Sequence, residues 1–327
     1  MINGLRWNLL WLIWMSSLAW AQSLCVFSVE GAHGELYGQM RDFAVAARGR
    51  GVELQLKPFV DERIVAEDLK ADQCDAALMT GIRARGFNPF TGSVDAIGGL
   101  PDYEALRVII TLLARPELAP KMRHGAYEVA GILPLGAAYL FLNDRQINSV
   151  EKIAGKRLAV FDHDPAQVMM AKRIGAQPVS SDVSNFSGKF NNGVVDAIAA
   201  PAVAYMPLEL YRGVGANGVV LDMPLAQLTF QLLLRHDRFP QDFAGWAREY
   251  FLGLFDQAMQ VVHFSENEML FFFPPPDIDA PRYKQLLKES RIALTRAGHY
   301  DVQMMRLMKR VRCSRAAHEA ECSDDNE

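Results

Sequence analysis

Short apolar runs alternate with amphipathic stretches along most of the chain. From Cys25 the order is LCVFSV, a helical stretch over 36–48, VELQLKPF, a second helical stretch over 62–70, and QCDAALMTG. Brief apolar runs separated by segments of helical period predict parallel strands joined by crossover helices. The second half repeats the order with KRLAVFD, a helix over 165–174 opened by Pro165, QPVSS, a short helix over 187–191, and VVDAIAAP. Proline suits a first helical turn because its missing N–H has no partner there anyway.

The two closing strands also begin alike. KADQCDAAL at 70–78 and FNNGVVDAI at 190–198 each leave a helix, turn, and enter an apolar run through Asp-Ala. Asp75 and Asp196 are therefore read as structural residues at strand entrances. Between the halves, EVAGILPLGAAYLFLND gives two apolar runs broken at Pro134, suited to strands that cross between lobes. LTFQLLLRHDRF gives a returning strand. The tail predicts helices over 241–263 and 280–311, parted by FFFPPPDID, since three consecutive prolines cannot continue a helix. The fold class expected is α/β: two lobes of parallel-rich sheet flanked by helices, with a cleft between two facing sheets and a helical C-terminus. Lobe boundaries fall at 22–133 and 134–224, with the return strand and packing helices in 225–327. Ligands of open α/β sheets sit outside the carboxyl ends of the strands, which places the expected site in the cleft.

Length and composition narrow the function. The 327 residues are half hydrophobic and 22% charged, with a net charge of −4 and both signs interspersed. That balance excludes disorder and gives no polyanion-binding surface, so no nucleic-acid partner is expected. Residues 1–21 form a leader: Arg6 supplies the positive end, LLWLIWMSSLAW the apolar core, and Ala19-Trp20-Ala21 the cleavage site. No later run reaches the roughly 20 apolar residues of a bilayer span, so the mature chain is expected to be exported without stable membrane insertion.

Export changes the reading of the four cysteines. In an oxidising compartment Cys25, Cys74, Cys313 and Cys322 can pair in three ways. Cys313 and Cys322 close a short loop and are the natural local pair, which leaves Cys25 and Cys74. Four unpaired thiols are the alternative. No CxxC or Cys/His cluster points to zinc. Catalytic and cofactor templates are missing too: there is no GxSxG, HExxH or Walker loop, and SVEGAHGELYG lacks dinucleotide spacing. Neither enzyme chemistry nor a cofactor is expected.

Candidate ligand residues lie at the predicted carboxyl ends. Arg83 and Arg85, in TGIRAR after the Cys74 strand, are placed to hold an anion. Asp162 and His163 end the first strand of the second lobe, while Asp164 before Pro165 reads as a helix N-cap. Tyr139 alternates with Phe141 on a strand, and Tyr205 follows VVDAIAAP; each is either cleft lining or core. Ser28 and Glu30 follow the first strand.

GKRLAVFDHDPAQVMMAKRIGAQPV, FNNGVVDAIAAP and LLLRHDRFP resemble the second lobe of TRAP-type, dicarboxylate-binding periplasmic proteins. The resemblance is closer to the AdeT-like branch of solute-binding proteins, which DERIVAEDLKADQCDAALMTGIRARGFNPFTGSVDAIGGL, LPLGAAYLFLNDRQIN and the cysteine-containing C-terminus also fit. It implies a type II-like periplasmic-binding-protein fold, and a periplasmic protein that closes on a small, polar or anionic solute for a membrane permease of TRAP type. The chain departs from the family where a carboxylate would be held. Ala159 stands at the family's arginine, a second family arginine falls near Tyr139, and the polar end of the GQENP strand becomes Ala199-Ala200 before Pro201. The standard carboxylate clamp is thus absent, and an envelope interaction protein that kept the fold without that clamp is the alternative.

Overall fold

The computed structural model describes residues 21–276 and 279–323; apart from Ala21, the expected leader lies outside the described residues. Among the described residues ten strands form one hydrogen-bonded sheet. In the first lobe β1 (Gln22–Phe27) lies parallel between β2 (Leu54–Phe59) and β3 (Ala76–Thr80). A two-residue β4 (Arg123–His124) turns antiparallel into β5 (Tyr127–Leu142). In the second lobe β6 (Arg157–Phe161) lies parallel between β7 (Gln177–Ser181) and β8 (Ala197–Pro201). The long β9 (Val219–Arg235) runs antiparallel along all of β5, and β10 (Phe272–Phe273) pairs parallel with its start.

The continuous apolar runs are explained by burial on both faces. Along β1 and β3, Cys25, Phe27, Ala77 and Met79 enter one core while Leu24, Val26, Ala76 and Leu78 enter another. Successive side chains point to opposite faces, so a strand covered on both sides must be apolar throughout. The helices Glu62–Lys70 and Tyr103–Ala114 cover the first face; Glu35–Arg48 and Phe243–Gly253 cover the second. In the second lobe Leu158 and Val160 likewise face away from Ala159.

The shared plan of the two halves extends to their aspartates. Asp75 accepts hydrogen bonds from the backbone N–H and hydroxyl of Ser23, at 2.8 and 2.9 Å. Asp196 does the same for Arg157, accepting from its backbone N–H at 2.9 Å and from its guanidinium at 2.7 Å. Each carboxylate ties the entrance of its lobe's third strand to the entrance of the first. The Arg157 pairing holds the Asp196 carboxyl down at about 2, against the opposing effect of burial.

The crossing region differs from the expectation. The apolar runs around Pro134 are one 16-residue strand, and with β9 it joins both lobes into a single sheet instead of two facing ones. Pro134 is tolerated because the register with β9 shifts between Pro134 and Gly136, and a bulge needs no ladder donor there. Gly136 sits at φ +104°, and a Cβ on it would meet Val262 Cγ1 at 3.2 Å. Replacing Gly136 with Ala should therefore lower the unfolding free energy by about 1–3 kcal/mol. An unchanged urea midpoint would contradict this account of the crossing.

The tail also divides more finely than predicted. Its first helical region is Phe243–Gly253 followed by Phe255–Asn267. Its second is Ala280–Arg296 followed by Val302–Arg315, where Asp301 caps the N–H groups of Gln303 and Met304. Two disulfides form, Cys25–Cys74 and Cys313–Cys322. The second holds Glu321 against the guanidinium groups of Arg291 and Arg312, at 2.5 and 2.8 Å.

Candidate functional site

A cavity of about 550 Å³ opens where the carboxyl ends of strands from both lobes converge. Phe27, Ser28 and Glu30 reach it from the end of β1, and Thr80 and Ile82 from the end of β3. Ala159, Phe161 and Asp164 reach it from the end of β6, and Ala199 and Pro201 from β8. The crossing strands supply Leu133, Pro134, Leu228 and Phe230 between them. The volume lies within the usual range for small-molecule sites, roughly 300–1,000 Å³.

Of the eight expected ligand residues, Ser28 and Glu30 line this cavity, and the other six do not. Arg83 turns to Glu62, a buried carboxylate 3.4 Å from its Nε. Glu62 also accepts the Thr80 N–H at 2.6 Å, yet burial still raises its carboxyl above the usual range. Arg85 donates to the Gly92 carbonyl at 3.1 Å and to Asp164 at 3.0 Å, and its guanidinium lies 4.9 Å from the centre of the Tyr300 ring. Both arginines are occupied by groups of the protein itself, so the anion-holding role expected of them gains no support from the geometry.

The other four go elsewhere. His163 stacks on Phe161 with ring centres 5.6 Å apart, and its Nε2 is buried without a partner. Burial, and then the charges of Arg83 and Arg85, push its pKa down to about 3, so it is neutral at ordinary pH. Asp162 is exposed and accepts the Ser180 hydroxyl. The Tyr139 hydroxyl donates to Glu266 at 2.7 Å, beside the Tyr103 hydroxyl, and burial raises its pKa. Tyr205 is core: it packs near Phe141 and accepts the Leu270 N–H at 3.4 Å.

Asp164 does two things. It caps the helix Pro165–Arg173 by accepting the Ala166 N–H at 3.1 Å, as the sequence indicated, and it forms a bridge from the second lobe to Arg85 of the first. Asp95 was not singled out in the sequence. It lines the cavity at 4% exposure and accepts the Thr229 N–H at 3.0 Å and the Thr229 hydroxyl at 2.6 Å. Gly81 permits that approach, since a Cβ there would lie 2.5 Å from Asp95 Oδ1. Burial pushes the Asp95 carboxyl up to about 7, outweighing its Thr229 hydrogen bonds and the nearby Arg85. The one sequence signal for Asp95 is its place in a run punctuated by Gly92, Gly98 and Gly99, where turns bring polar groups inward.

Among the described residues the cavity wall carries no Lys, Arg or His. The only group with metal-ligand spacing among those residues is Cys25, Asp68 and Cys74, and its two sulfurs are joined in a disulfide.

A probable solute-binding protein of Acinetobacter baumannii, AdeT1, is 38% identical over 304 residues, which is 92% of this chain and 100% of that protein. A TRAP periplasmic solute-binding protein from Desulfovibrio salexigens, solved with orotic acid, superposes with a TM-score of 0.73 at 15% identity, covering 89% of this chain and 98% of that one. One from Xanthobacter autotrophicus, solved with β-D-galacturonate, gives 0.70 at 13% identity over 89% and 99%. These likenesses establish the two-lobed TRAP-type fold. The family model for solute-binding protein AdeT 1/2 matches residues 40–327, and the chain belongs to that family.

Proposed function

We propose that this chain is an exported, periplasmic solute-binding protein that takes a small molecule into the interlobe cavity and presents it to a membrane permease of TRAP type. The observation that carries the reading is the cavity itself. It is bounded by strand ends from both lobes and crossed by β5 and β9, the two strands about which the lobes would close. Closure follows when a solute contacts both walls and so favours the closed arrangement. The Arg85–Asp164 bridge supports this, because it joins the lobes beside the cavity.

Export is supported by the two disulfides and by the sequence of the leader. No helix among the described residues is long and apolar enough to cross a membrane. A non-enzymatic role fits the solute-binding family to which the chain belongs. Ala159 and Ala199, at positions where the family clamp is missing, leave space in the cavity.

Calorimetry and thermal-shift measurements over a broad metabolite panel, paired with small-angle scattering, test the proposal. The expected result is at least one ligand that raises the melting temperature and reduces the radius of gyration. A panel with no ligand and unchanged scattering would favour the envelope interaction protein instead.

A further inference from the structure

We infer that the cavity selects a solute with an apolar body and one positive charge, with Asp95 as its counter-charge. This rests on the solute-binding reading above and names the class of solute.

Charge balance around the cavity carries the argument. Every ionisable side chain on the wall other than tyrosine is a carboxylate: Glu30, Glu35, Asp95, Asp164 and Glu268. Asp164 is compensated by Arg85 at 3.0 Å and by its own helix cap. Asp95 has Thr229 donors but no cation in contact, and the guanidinium that both carboxylates share is bonded to Asp164. Two buried carboxylates thus share one largely buried arginine, leaving one negative charge at the cavity wall whenever Asp95 is ionised. A carboxylate solute would have to leave water with no basic group on the wall to meet it, a cost of several kcal/mol. A cation removes the imbalance instead.

Further features agree. The remainder of the wall is largely apolar, including Phe27, Leu133, Phe161, Leu228 and Phe230, which suits a hydrocarbon or aromatic body. Exposed Glu30, Glu35 and Glu268 add negative charge where the cavity meets solvent, which draws cations in.

The test uses three probes that share a body and differ in the head: phenylbutylamine, phenylbutanol and phenylbutyrate, titrated calorimetrically into the full mature chain. At pH 8 the amine should bind at least tenfold tighter than the alcohol, and the acid more weakly than either. Asp95→Asn should weaken the amine at least tenfold and leave the alcohol within about twofold. A second readout uses the native protein, so it does not depend on the variant folding. Arg85, Asp164 and Tyr300 are the charged and titratable groups facing Asp95. As pH falls from 8 to 6 the Asp95 carboxyl takes up its proton around 7, while the amine stays charged. The amine should therefore weaken several-fold and the alcohol should not.

The inference is overturned if the acid or the alcohol binds as tightly as the amine, or if the amine is insensitive to both Asp95→Asn and pH. If none of the three binds while the metabolite panel finds a ligand, the inference fails and the solute-binding reading stands. If the panel is also empty, that reading fails too.

Discussion

Replacing Arg85 with Ala should lower the unfolding free energy by about 3–5 kcal/mol, the usual cost of removing one partner from a buried ion pair. The Arg85 side chain is 12% exposed and that of Asp164 is 5% exposed. Its loss leaves Asp164 and Asp95 buried together with no cation, and Tyr300 without the guanidinium over its ring. The linkage gives a sign. Without Arg85 the folded-state Asp95 carboxyl titrates higher than in the native protein, further above its unfolded value. The folded state then binds more protons, so the variant regains part of the lost stability as pH is lowered from 8 towards 5. Arg85→Met combined with Asp164→Asn removes both charges and keeps a capping side chain, and should recover at least half of the loss. Urea unfolding of the single and double variants checks this. A single-variant loss below about 1 kcal/mol would show that the bridge is a surface contact in practice.

The Cys25–Cys74 disulfide should be the more important of the two. Its partners are 49 residues apart, against 9 for Cys313–Cys322. Chain-entropy arguments assign the longer loop roughly 4 kcal/mol of stabilisation and the shorter roughly 2.5 kcal/mol. Both Cys25 and Cys74 are fully buried, so replacement by Ala also removes packed sulfur from the first-lobe core. The Cys25→Ala, Cys74→Ala double variant should melt well below the Cys313→Ala, Cys322→Ala variant. The shorter bridge works locally, by keeping Glu321 between Arg291 and Arg312. Equal melting temperatures, or the reverse order, would contradict this ranking.

The fold was legible because its determinants are local in sequence. Doubly covered strands must be apolar at every position, and the helix Glu62–Lys70 begins and ends where its pattern does. The duplicated Asp-Ala entrance pointed to structural aspartates, and both tie strand to strand. The crossing was misread because a proline within an apolar run usually ends a strand. Only the register with β9 shows that a bulge absorbs it.

The site was far less legible, for a reason that applies to its main residues. Arg83 and Arg85 lie in the expected loop, but what they do depends on Glu62, 21 residues earlier, and Asp164, 79 residues later. No spacing rule connects those positions. His163 and Asp162 were placed at the correct strand end, yet one stacks on Phe161 and the other faces solvent. Asp95 enters the wall from a glycine-punctuated run in which no spacing rule singles out its carboxylate. Ala159 and Ala199 do line the wall, which among the described residues carries no basic side chain.

The most direct measurement is native mass spectrometry of the protein purified from its own cell, beside an Ala199→Trp variant. Ala199 is exposed and faces the cavity, so an indole there fills the space without entering the core. The native chain should carry an added small-molecule mass that is released on unfolding, and the variant should carry none while melting at the same temperature. An added mass retained equally by the variant, or no added mass on the native chain after exposure to extract of that cell, would contradict the interlobe cavity as the solute site.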